Sequence, residues 1–539
     1  MAPNGDLVLG IDAGTGGVRA GLFDLDGRPL GFHDQAYPTL YPRAGWAEQS
    51  PAAWWEALVI AVRGCLAASG VDGARVIGLA VDAPCDILLA DRDGAPLTDS
   101  IMWMDLRASA QARRLTDTRD PVLRYCGGEV PAEWPIPKAL WLKENAPDLW
   151  ERAAYLVEQM SWLTWRLTGT WAVPLNSAAA KWHYRVTDSP HPPTPSPSGG
   201  EGEQPSSPLP RSGREGGGEA AGWPMGLLAR VGLEDLPDKA PGAVLPMGAK
   251  GGELSAAAAD ELGLRRGIAV SMSGIDAHAG MVGMDVLMPG TLALITGTST
   301  CQLAQSPHAV FDPGLWGPFE AAVIAGEWTL EAGQASTGGT VRWLLDTLGG
   351  ALPSGAERYA TADAAAAAVP PGAEGLTVLD FWQGSRTPIK DPAARGTIWG
   401  LTTAHGPGHL LRAVYEGTAY GNRHILEMLD RLGVPTGRIV ACGGGTRSAL
   451  WLQILADVAG VPITLPETPD AVALGTAMCA AVGAGAYPDL RAAGRAMVRL
   501  TTTVEPDAAM RAAYDEGYGR YKDTYAALAS LFHSSNTTY

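Results

Sequence analysis

Apolar and polar positions along this chain of 539 residues alternate between short strand-like runs and longer helix-like ones. LVLGID at 7–12 is apolar and β-branched, AGTGG at 13–17 is a turn, and VRAGLFDLDG at 18–27 resumes the apolar pattern. This predicts a strand, a glycine-built turn and a second strand. GTLALIT at 290–296, GTST at 297–300 and CQLAQS at 301–306 repeat the arrangement far downstream, so the chain is predicted to be built twice. VIGLAVDA at 76–83 and RIVACGG at 438–444 read as further strands. PAAWWEALVIAVRGCLAAS at 51–69, the stretch 137–156, 408–433 and SALWLQILADVAG at 448–460 read as helices. The pattern is α/β in both halves.

One stretch breaks it. Residues 189–220 are almost entirely Pro, Gly, Ser and charge, which predicts a disordered surface loop. The Ala-rich piece 360–375 is expected to be a helix and loop without chemistry. No apolar run is expected to form a membrane-crossing helix, which needs about 18 to 20 residues, and the N-terminus lacks the features of a secretory signal. A soluble, cytoplasmic protein is therefore expected.

Composition narrows the partners. The formal net charge is −17 and Lys/Arg do not cluster in a stripe, which argues against nucleic acid. The six cysteines are far apart, form no CxxC pair, and are expected to be reduced and mostly buried.

The candidate chemistry begins at the first turn, where small residues let backbone N–H groups converge on an anion. There is no GxxxxGK[ST], and Arg19 stands where GxGxxG needs its last glycine, so neither a Walker loop nor a dinucleotide fingerprint is present. An ordinary tight turn is the competing reading. With two such hairpins, Gly14 and Thr15 would face Gly297, Thr298 and Ser299 across a nucleotide. Asp12 would hold Mg²⁺ through water or merely cap its turn. CGGGT at 442–446, with Gly443, Gly444 and Gly445, follows a buried strand and suits close approach to a base or phosphate, or is a plain strand-to-helix turn. Asp276, between an apolar strand and a small-residue helix, is placed for a general base and assigned to the metal with Asp12; a helix N-cap is the alternative. His278 is read as structural.

As a set, GIDAGTGGVRAGLFD, GWAEQSPAAWW (45–55), IMWMDLRA (101–108), GIDAHAG (274–280), GSRTP (384–388), RGTIWGL (395–401) and ACGGGTRSALWLQILADV (441–458) resemble the FGGY family of carbohydrate kinases. VDAPCD (81–86), KWHY (181–184), GTSTC (297–301) and EAGQASTG (331–338) look like its ribulokinase-like branch. The resemblance implies Asp276 as catalytic base, Ala83, Asp105, Lys181, Asp276 and Glu331 at the sugar, and Gly338 and Ser448 on the nucleotide side. Lys181 and Asp105 read alone could also be surface ion-pair residues. Leu106, Pro84 and Ala335 depart from the branch's usual residues and are expected on the sugar side.

The resulting expectation is a two-lobed, actin-like (ribonuclease H-like) α/β kinase with the active site in the interlobe cleft. The lobes are expected over 6–284 and 285–500, with 501–539 a helical tail. ATP and Mg²⁺ are the expected cofactors. The acceptor is expected to be a ketopentose such as D-ribulose, or alternatively a pentitol, xylulose, tetritol or other polyol. A homodimer is left open; nucleic acid and membrane are not expected as partners. An actin-like ATPase without sugar kinase activity, a nicotinamide-dependent dehydrogenase and a silent sugar sensor are the rivals from other classes.

Overall fold

The computed structural model describes residues 6–186, 221–349, 357–468 and 470–534. The segment 189–220 read as a loop lies outside the described residues.

Two sheets carry the molecule. The first has six strands in the order 250–253, 269–272, 76–82, 7–14, 17–24, 29–36. Strand Leu7–Gly14 pairs antiparallel with Gly17–Asp24 and parallel with Val76–Asp82, which runs parallel to Ala269–Met272. The second has seven strands, ordered 316–320, 328–334, 300–306, 291–296, 438–443, 463–466, 500–504. Here Thr291–Thr296 pairs antiparallel with Thr300–Ser306 and parallel with Arg438–Gly443. The hairpin-led pattern thus recurs, as the sequence repeat predicts. Leu7, Leu9 and Ile11 and their neighbours Val8 and Ala13 are all buried, so this strand reads as a nearly continuous apolar run because both faces of its sheet are covered.

Helix Pro51–Ser69 covers one face, packing on strands 17–24 and 29–36 with Trp54, Leu58, Ala61 and Cys65 inside. Contrary to the expectation from sequence, it is long and apolar enough to cross a membrane by length and composition. Here those apolar side chains fill the first lobe's core. Helix Ala471–Gly483 covers the opposite face, against strands 7–14 and 76–82, although its sequence belongs to the second half. It also crosses helix Asp276–Gly283, so the two lobes are joined through this pair.

Two expectations need correction. The stretch 137–156 is not one helix: Pro147, which has no N–H to continue the ladder, starts a second helix after Pro135–Asn145, and Tyr155–Glu158 is a strand. The second lobe does not end at 500 in a helical tail. Leu500–Val504 is its edge strand, and Tyr514, Tyr518 and Tyr521 of helix Arg511–Ser534 are buried in its core.

Candidate active site

A cavity of about 370 Å³ opens between the lobes, within the usual size of small-ligand sites. Asp12, Gly14 and Thr15 of the first hairpin line it together with Gly297 and Ser299 of the second. The second hairpin gathers two more backbone elements. The N–H groups of Thr337 and Gly339 donate to Thr298 O, and Gly445 N–H donates to Thr296 Oγ1 at 3.1 Å. A Cβ on Gly338 would lie 2.3 Å from Gly297 O, and one on Gly443 (φ 96°) 2.1 Å from Thr296 O, so both approaches require glycine. Ser448 caps helix Ala449–Ala459, accepting from Trp451 N–H at 3.1 Å.

Asp276 lines the same cavity. It is the first residue of its helix rather than the N-cap, which is Ile275, and its Oδ1 accepts its neighbour Ala277's N–H at 2.7 Å. Burial raises its pKa, against the pull of that N–H, and Glu331 adds to the rise. Asn176 fixes the start of the helix by accepting Ile275 N–H at 2.8 Å while donating to Ala322 O. His278 Nδ1 sits 2.8 Å from Asn176 Nδ2, and burial pushes its pKa down to about 4, so the ring is neutral at pH 7. That agrees with a structural role.

Lys181 donates to Glu331 at 3.0 Å, both on the cavity wall. Burial opposes the ammonium charge, but Glu331 and lesser neighbours together outweigh it and the pKa is raised; Lys181, helped by His278 and Arg386, in turn holds Glu331 below the ordinary carboxyl range despite burial. Trp134, Trp316 and Phe319 surround the ammonium, their ring centroids 5.2, 5.5 and 5.6 Å away.

At the hairpin end, Asp12 Oδ1 is buried without a partner, as is Asp82 Oδ1. Burial raises Asp12 to about 7, and the charges of Asp276 and Asp470 push the same way.

The remaining predicted residues fall elsewhere. Asp105 does not line the cavity: fully buried, it accepts from Ala47 N–H at 2.6 Å and from the Arg107 guanidinium at 2.7 and 2.9 Å. Ala83 is buried in the first lobe's core, and its neighbours Pro84 and Cys85 form the wall instead. Of the three departures expected on the sugar side, only Pro84 lines the cavity; Leu106 is 48% exposed and Ala335 is buried outside the cavity lining. Reading the sequence passed over Trp103, Glu133, Trp134, Trp316 and Arg386, which line the cavity, and Asn176, which positions Asp276. Trp103 and Arg386 were within motifs already recognised, IMWMDLRA and GSRTP. The others carried no local signal, since only the fold brings 133–134 and 316 to one wall.

The profile of the FGGY family of carbohydrate kinases, N-terminal domain, matches residues 7–189, and that of its C-terminal domain matches 292–484. An FGGY carbohydrate kinase domain-containing protein from Homo sapiens is 32% identical, covering 95% of this chain and 94% of its own. A ribulokinase from Geobacillus thermodenitrificans is 29% identical, covering 95% of this chain and 93% of its own. A xylulose kinase structure from Rhodospirillum rubrum superposes with TM-score 0.80 at 27% identity, covering 98% of this chain and all of the other. The chain belongs to the FGGY family of carbohydrate kinases, and with its two-lobed, actin-like α/β fold it is an ATP-dependent phosphotransferase that acts on an alcohol group of a sugar.

Proposed function

We propose that the acceptor is a ketopentose, D-ribulose or a close relative, held by Lys181 and Glu331 with the reacting hydroxyl at Asp276. The observation that carries this reading is the Lys181–Glu331 pair beside Asp276 in one aromatic-walled cavity between the lobes. A ketopentose presents a carbonyl that wants a cationic donor and hydroxyls that want carboxylate acceptors. The ribulokinase likeness over 95% of the chain supports it. The likeness to a xylulose kinase keeps D-xylulose as the second candidate.

Asp276 takes the hydroxyl proton as the phosphoryl group leaves ATP, and its raised pKa makes it a stronger base than an exposed carboxylate. Gly14, Thr15, Gly297, Thr298 and Ser299 present backbone and hydroxyl groups to the phosphates, and Gly338, Gly443, Gly444, Gly445 and Ser448 form the nucleotide side beyond them. Asp12 and Asp276 would hold Mg²⁺. The fit rests on Asp12, whose buried oxygen has no partner while neighbouring carboxylates repel its charge. Among the described residues, no three His, Cys, Asp or Glu side chains are arranged to hold a metal. Mg²⁺ held through one or two carboxylates and substrate phosphates needs no such cluster. When bound, the ion neutralises charge on the transferring phosphoryl group.

The test is ADP release from the purified protein with D-ribulose, D-xylulose, pentitols, tetritols and glycerol. D-Ribulose or a near relative is expected to give the highest kcat/KM. A tetritol or hexose outperforming every five-carbon acceptor would overturn the substrate assignment and leave the kinase intact.

A further inference from the structure

Lys138 is fully buried in helix Pro135–Asn145. Its three N–H donors go to three backbone carbonyls: Met102 O at 2.6 Å, Trp103 O at 2.9 Å and Glu133 O at 2.6 Å. The ammonium is saturated, so it ties together two separate pieces of cavity wall, 102–103 and 133. From the other side, Asp86 Oδ1 accepts Trp103 N–H at 2.6 Å. Asp86 is also fully buried, and its Oδ2 has no partner. Both backbone polar groups of one residue are therefore gripped, by a carboxyl oxygen at its N–H and a lysine amine at its C=O. The residue so held lines the cavity, and its indole Nε1–H donates to Thr15 Oγ1 of the phosphate hairpin at 3.0 Å.

Burying a lysine and an aspartate is costly unless they are well satisfied. Burial pushes Lys138 down to about 8, against the opposing pull of Asp86, Asp105 and Glu133. Apolar residues could close this part of the core more cheaply, but they could not hold a peptide by both ends.

We propose that Asp86 and Lys138 are positioning residues that clamp the Trp103 peptide, so that its indole stands as a fixed partition between the acceptor and the phosphate hairpin. Neither residue touches the acceptor; both act through Trp103. The inference rests on the reading that the acceptor occupies this cavity, whichever sugar it is.

A double-mutant cycle with the best acceptor of the screen tests it. Lys138→Met is expected to raise acceptor KM at least 10-fold with ATP KM changed less than threefold, and Lys138→Arg to recover most of the loss. Trp103→Ala is expected to raise acceptor KM similarly. Lys138→Met added to Trp103→Ala should cost less than a further twofold, because the side chain it positions is already gone. Asp86→Ala, which removes the acceptor for Trp103 N–H, guards against a Lys138 variant that does not fold, and is expected to raise acceptor KM at least fivefold with ATP KM changed less than threefold. Full additivity of Lys138→Met and Trp103→Ala, or acceptor KM within twofold of wild type in every folded Asp86 and Lys138 variant, would overturn the clamp. If Trp103→Ala itself leaves acceptor KM unchanged, the placement of the acceptor fails instead.

Discussion

Asp276 combines partial burial, one backbone N–H donor and a place at the mouth of its helix, which is what a carboxylate needs to accept a proton from a bound hydroxyl. Replacing it with Asn separates chemistry from architecture. The amide oxygen can still accept Ala277 N–H, so the helix start held by Asn176 should survive. What is lost is the proton acceptor, and removal of a general base typically lowers rate by about 10²- to 10⁴-fold. Asp276→Asn is therefore expected to reduce kcat by that factor while Tm and nucleotide affinity in the absence of Mg²⁺ stay near wild type. Were Asp276 merely tidying a helix terminus, kcat would stay within about threefold. Measuring kcat, Tm and ATP affinity on one preparation separates the two roles.

Strand Tyr155–Glu158 and helix Leu175–Lys181 meet at another buried carboxylate. Glu158 Oε1 accepts from Ser177 Oγ and from Trp182 Nε1–H at 3.0 Å, tying the segment that ends in Lys181 to the sheet beneath it. Burial raises Glu158 to about 7, more than its hydrogen bonds lower it. An acid whose folded pKa is raised stays protonated in the fold while the unfolded chain has already lost its proton. The stability it contributes is fully present below about 4.5 and is lost as pH rises to about 7; the whole shift corresponds to about 3 kcal/mol. Glu158→Gln keeps the accepting oxygen and never ionises. Its stability advantage over wild type should grow by about 2 kcal/mol between pH 5.5 and 8.5 in urea unfolding, and an advantage flat with pH would refute the titration of Glu158. Glu158 also shows what a linear reading of the chain misses. The two hairpins, the Gly-rich turn and Asp276 were legible because strand alternation and small-residue turns are local signals, and their repetition implied a shared cleft. Asp105 was misplaced for the opposite reason. A carboxylate beside an arginine reads the same whether it faces a sugar or a buried guanidinium, and only the fold turned its oxygens onto Arg107 and Ala47. Lys138 and Glu158 carried no pattern at all, and Asp86, although inside VDAPCD, carried no sign of its role, because their partners are backbone groups and side chains from distant segments.

The two lobes are held together where helix Asp276–Gly283 crosses helix Ala471–Gly483, and small residues make that crossing close. A Cβ on Gly475 would lie 1.9 Å from Ala279 O, one on Gly283 1.8 Å from Ala471 O, and one on Gly10 2.0 Å from Ala473 O. The last contact sets the second half's helix directly on the strand that carries Asp12, so the base, the hairpin carboxylate and the lobe junction share one packed unit. Local propensity favours Ala over Gly inside a helix by about 1 kcal/mol, so Gly475→Ala would stabilise an isolated helix. In the intact protein the added methyl meets rigid backbone and the helices must part by about 1 Å, since a close-packed interior has no slack to absorb it. Overpacking of this kind costs about 1 to 3 kcal/mol, and here it outweighs the propensity gain. Gly475→Ala is expected to lower Tm by several degrees and to reduce kcat/KM more than tenfold, because Ala279 lies one turn beyond Asp276 and moves with it. Gly519→Ala, in helix Arg511–Ser534 with nothing within 4 Å of its added Cβ, supplies the matched control and should leave Tm unchanged or slightly raised and activity intact. Equal Tm and kcat/KM in the two variants would show that the crossing tolerates separation and that the junction does not position the base.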